Sequence, residues 1–102
     1  MIVGAVPKEP SEQFTISVDF SAELAVGETV ISAVVTSRNA ATGADSSSTI
    51  LNGSATITTP KVLQSVRAGA DGERHIVTIL ATTSASPANK WEAEVSISVE
   101  ED

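Results

Sequence analysis

The chain has 102 residues, enough for one domain built on one hydrophobic core and too few for two. It contains no cysteine, which excludes disulfides, thiolate zinc sites and a cysteine nucleophile, and leans toward folding in a reducing cytoplasm. Its 13 acidic residues against 6 Lys and Arg leave a net charge of −7, which disfavours nucleic acid and anionic membranes as partners.

The basic residues Lys8, Arg38, Lys61, Arg67, Arg74 and Lys90 are scattered along the chain and make no local patch in the sequence. No apolar run approaches the roughly 20 residues that span a bilayer as a helix. The first residues, Met1 to Pro7, lack the basic start and longer apolar stretch of a secretory signal, so a soluble protein without an address is expected. Val and Ile far outnumber Leu and Met, and Ser and Thr are abundant, which is the residue supply of a pleated, half-buried surface.

Residues 1–12 hold Pro7 and Pro10 and the charged Lys8-Glu9-Pro10-Ser11-Glu12 stretch. They read as an extended N-terminal arm, with residues 13–102 forming a single domain. Phe14, Ile16, Val18 and Phe20 alternate with Thr15, Ser17 and Asp19, the period-two signature of a strand with one apolar face. Ser21 to Glu28 suggests a short helical turn capped by Ser21 and closed by Gly27, with Leu24 plugging the core. From Thr29 to Ser37 apolar residues occupy both parities, as in a strand covered on both sides or one carrying a bulge.

Asn39 to Ser48 reads as a polar loop. Asn52-Gly53 predicts a hairpin, because both central positions of a type I′ turn need positive φ, and it would return Ser54 to Thr58 against Thr49 to Leu51. After Pro60 a strand resumes over Lys61 to Ala68 with Val62 and Val66 on one face. Gly69 to Glu73 is a turn, His75 to Thr82 a strand, and Ser84 to Asn89 a further turn. In the last strand Trp91, Ala93, Val95, Ile97 and Val99 face inward, which predicts a buried Trp91. About seven short strands with no long helix point to an all-β sandwich with Greek-key connections, a small β-barrel being the alternative.

Candidate chemistry is sparse. His75 is the one histidine, so any serine triad would have to run through it, and no Gly-x-Ser-x-Gly elbow accompanies it. It is expected as an exposed or half-exposed strand residue. Asp19, Glu23 and Glu28, and Asp71 with Glu73, lie in or beside turns and read as solvated acids. Neither group has the ligand spacing of a calcium loop. Gly69 and Gly72 are not followed by the helix that a phosphate cradle requires. No catalytic, metal or cofactor-binding residue is assigned, and no enzymatic activity or cofactor is expected.

The pattern Lys8-x-Pro10, then Phe14 to Ser21, Leu24 and Gly27-Glu28-Thr29-Val30, resembles the opening of small phage structural proteins of the fiber-tail adaptor type. The turn and strand Ala68 to Thr78 and the closing strand Trp91 to Val99 resemble that family as well. Phe20 stands where Trp is usual, Ala68 where Gly is usual and His75 where Tyr is usual. The resemblance covers about residues 8–99. It implies an immunoglobulin-like or fibronectin-like sandwich, a part of a phage or prophage virion near the tail or neck, assembled in the host cytoplasm. Its partners would be other virion proteins, with self-association a further option. The Asn39 to Ser48 loop and the N-terminal arm have no evident core role in the sequence and are the candidate contact elements. An alternative is an accessory binding or adhesive immunoglobulin-like domain of a bacterial surface protein, though such a sugar binder needs exposed aromatics and this chain has few.

Overall fold

The computed structural model describes residues 2–101. Its elements in chain order are β1 (Ile2–Lys8), β2 (Phe14–Asp19), β3 (Val30–Asn39), α1 (Ser47–Ile50), β4 (Thr56–Thr58), β5 (Lys61–Val66), β6 (Arg74–Thr83) and β7 (Lys90–Val99). One sheet has the order β1-β7-β6-β3 and the other β2-β5-β4. Neither closes, so the fold is a β-sandwich and not a barrel. Strands β2, β5 and β4 face β3, β6 and β7 with the connectivity of an immunoglobulin sandwich, and the first strand lies parallel beside the last.

Alternation fills the space between the sheets. Ile16, Val18, Val62 and Val66 from one sheet meet Val77, Ile79, Ala81, Ala93, Val95, Ile97 and Val99 from the other, all of them buried. Phe20 closes one end of this core and Ile50 of α1 plugs the other. Each fully buried Val, Ile or Phe contributes about 1.5–3 kcal/mol, so many small side chains replace a few large ones.

Several local expectations yield to long-range pairing. The arm of residues 1–12 was expected outside the regular elements, yet Ile2–Lys8 is an edge strand hydrogen-bonded to β7. Pro7 disguised it, but an edge strand tolerates proline wherever the missing N–H would have faced outward. Residues 21–28 make turns and no helix; the Asp19 carboxylate accepts the Ser21 N–H at 2.8 Å and Leu24 packs partly against the core. The both-parity strand proves to be β3, with a register shift between Val30 and Ser32. The Asn52-Gly53 hairpin does not form. Residues 47–50 coil into α1 to bury Ile50, Leu51 bridges Val66, and β4 pairs with β5 through a tight turn at Thr59-Pro60.

Gly69 is required where it stands. Its φ is +95°, and a Cβ there would lie 2.8 Å from the Val99 Cγ2.

Candidate functional site

His75 is not an exposed strand residue. It is the second residue of β6, on the inward parity opposite Ile97, and is 3% exposed. Its Nε2 lies 3.1 Å from the Glu73 Oε1 and its Nδ1 2.9 Å from the Ser46 Oγ, which in turn lies 2.8 Å from the Ser37 Oγ. Glu73 therefore is not a freely solvated turn acid. The Ala70 N–H, first, and His75, second, hold its carboxyl below the usual Glu range. Sequence reasoning found His75 and Glu73 but missed Ser37 and Ser46, which come from β3 and from the loop after it.

The row Glu73, His75, Ser46 has the membership of a hydrolase triad without its access. Ser46 is buried, and its oxygen is engaged by both Ser37 and His75. The row ties the 69–73 turn, the start of β6 and the 40–46 loop together beneath one end of the sandwich. The Ser46 N–H donates to the Ser37 carbonyl and the Asn39 N–H to the Ala44 carbonyl, so the polar loop is folded back on the end of β3.

The other acids organise turns. Glu28 accepts hydrogen bonds from Thr83, the Ala25 N–H and Asn89, and these hold its pKa down, Thr83 foremost. Asp45 takes both the N–H and the hydroxyl of Ser47, and Asp71 accepts the Glu101 N–H at 3.1 Å. Among the described residues no three His, Asp or Glu side chains converge as metal ligands.

Lys8 is the buried cation that the sequence did not flag. It is 2% exposed at the end of β1, and its Nζ donates to the carbonyls of Ala68 at 2.6 Å, Glu9 at 2.8 Å and Pro10 at 3.3 Å. Burial lowers its pKa, against the opposing attraction of Glu12. The ammonium thus joins β1, the turn to β2 and the turn after β5.

The surface offers edges and grooves. The outer strands of the two sheets are β1 and β3, and β2 and β4. A groove of about 300 Å³ runs between β1 and β2 over Val6, Phe14, Ile16 and Val95. A second, of about 250 Å³, separates β3 from residues 51–55, with Ala33, Val35, Leu51, Ala55 and Gln64 in its walls. Ile31 and Val34 are exposed on β3. Trp91 corrects its expectation: it has inward parity opposite Ala81 but, as the second residue of β7, lies outside the core cluster and is 37% exposed.

Comparison with known proteins matches residues 8–100 to the family described as Podophage GP4 fiber-tail adaptor protein gp77. No curated protein and no solved structure matches significantly. The matched span runs from the buried Lys8 through the whole of β7 and so includes strands β2 to β7 and the row through His75, with β1 outside it except for Lys8. The chain belongs to the Podophage GP4 fiber-tail adaptor family.

Proposed function

We propose that this chain is a non-catalytic structural and assembly component of a phage or prophage virion, joining other virion proteins in the tail or neck. Family membership over residues 8–100 is the observation that carries the reading. The physical features agree with it. The triad-like row Glu73, His75 and Ser46 is enclosed and serves as a tie, while strand edges remain open for contacts with partners. Residues 13–102 act as the folded unit, with β1 of the arm attached along one edge. A net charge of −7 turns the protein away from DNA and anionic lipid, and makes self-association specific and dependent on salt screening. Assembly takes place in the host cytoplasm before the particle is complete.

A carbohydrate-binding accessory domain is the weaker reading. Phe20 is buried and Phe14 packs against the core, which leaves Trp91 without an aromatic companion at the surface.

The test is to delete the gene in its phage and to search gradient-purified particles of the parent for the protein by mass spectrometry. The protein should be present at a stoichiometric level in parent particles, and the deletion should give particles without fibers or with incomplete tails. Normal infectious particles from the deletion would overturn the proposal.

A further inference from the structure

The edge of β3 is open over one short stretch, and the residues on either side of it define what can fill the gap. Ser37 and Asn39 direct their backbone groups away from β6: the Ser37 N–H donates to the Ser47 Oγ, the Ser37 carbonyl accepts the Ser46 N–H, and the Asn39 N–H donates to the Ala44 carbonyl. Residues two apart on a strand send their backbone groups the same way, so Val35 and Ala33 also point outward. Among the described residues neither has a backbone partner on that side. At the other end, the Val30 N–H is taken by the Thr59 Oγ1. Two N–H and two C=O groups therefore face outward between obstructions, and the groove between β3 and residues 51–55 opens beside them.

We infer that this stretch of β3 accepts an extended, uncharged segment of a partner protein as an added strand, an inference that rests on the adaptor reading. The backbone groups of Ala33 and Val35 supply the ladder. A residue placed opposite Ala33 or Val35 points its side chain to the groove side, where Ala33, Val35, Leu51 and Ala55 favour a small apolar group. A residue placed opposite Val34 lies on the outer face beside exposed Val34.

Charge and size select this occupant over a second copy. Thr29 to Ser37 carries no charged residue, so the stretch suits an uncharged segment, whereas two copies of a chain of net charge −7 repel. A two-fold pair of β3 strands would also bring Asp45, which bridges Arg38, and Thr59 of each copy into the place of the other strand. The free stretch is about four residues, on the order of 13 Å of strand, too short for a pairing along it alone to bury the roughly 1,200 Å² of a stable pair of subunits. A linear segment of a protein held elsewhere in the particle meets these conditions.

The experiment titrates the intact ¹⁵N-labelled protein with a capped Thr-Val-Ala-Val-Thr peptide and with the same peptide carrying Glu at its centre. The uncharged peptide should shift the amides of Ala33 and Val35 saturably, and the Glu peptide should bind at least roughly tenfold more weakly. Val35→Pro removes one outward N–H without touching the β6 ladder, and should weaken binding about tenfold with the fold retained. Val34→Lys leaves the backbone intact and should also weaken it. Shifts confined to the groove of Val6, Phe14 and Ile16, an unchanged affinity in Val34→Lys, or no saturable shift overturns the inference. The same two variants are then scored for incorporation into particles. Parent protein missing from particles refutes the adaptor reading by itself, whereas parent protein present in particles with no peptide binding at β3 refutes this inference alone.

Discussion

Replacing Lys8 separates two contributions that the buried side chain combines. Its Nζ donates to three carbonyls, and each acceptor left without a donor costs about 1–3 kcal/mol where water cannot reach it. Keeping the ammonium out of water costs several kcal/mol in the other direction, and the lowered pKa shows that this dehydration weighs more than the attraction of Glu12. The two nearly offset. Lys8→Met, which keeps a long apolar stem, should therefore lose only about 1–2 kcal/mol, a fall of roughly 5–15 °C in melting temperature. Lys8→Ala also loses about three buried methylenes, which adds roughly 2–3 kcal/mol. Because burial lowers the pKa, the folded chain releases this proton before the unfolded chain does. The unfolded chain then holds more protons, and the parent gains stability over Lys8→Met as pH rises toward 10.5. Thermal denaturation from pH 7 upward, with hydrogen exchange along β1, measures all of this. Equal melting temperatures for the Met and Ala variants, or a parent that loses stability relative to Lys8→Met as pH rises, would refute the reasoning.

His75→Leu should cost about 1–3 kcal/mol and speed amide exchange in the 40–46 loop, since Ser46 loses its imidazole partner; unchanged exchange there would show that the row is not a tie. Asp19, Glu28, Asp45 and Glu73 all have lowered pKa values, so their contribution is complete above the ordinary carboxylate range near pH 4. It is lost as pH falls through the folded-state values. Acid titration of the parent against Glu73→Gln should show the variant losing less on the way down, and parallel curves would contradict the assignment. Trp91 fluorescence should be red-shifted and quenched by iodide, and Trp91→Ala should cost less than Ile97→Ala, which empties a fully buried site at about 2–5 kcal/mol. The reverse order would restore a buried tryptophan.

Much of the architecture was legible in the sequence because it is carried by local period and composition. The alternation in β2 and β7 marked the inward faces from Phe14 to Phe20 and from Ala93 to Val99, and the scarcity of His, Cys and aromatics bounded the chemistry. The short motifs around Lys8, Gly27 and Gly69 carried the family resemblance. Tertiary structure decided what parity cannot express. Parity gives the side of a strand but not its depth, so Trp91 and Ile97 look alike in sequence, yet Ile97 is fully buried in the core cluster and Trp91, near the start of β7, lies outside it. The Asn52-Gly53 turn signal was overruled because burying Ile50 and joining Leu51 to Val66 gains more than a local hairpin. Lys8 and His75 became buried polar ties only when residues as distant as Ala68 and Ser46 were brought to them, and the open stretch of β3 exists because the loop after it covers one end of the edge and Thr59 the other. Such contacts depend on which strands become neighbours, and that is set by the packing of the whole chain.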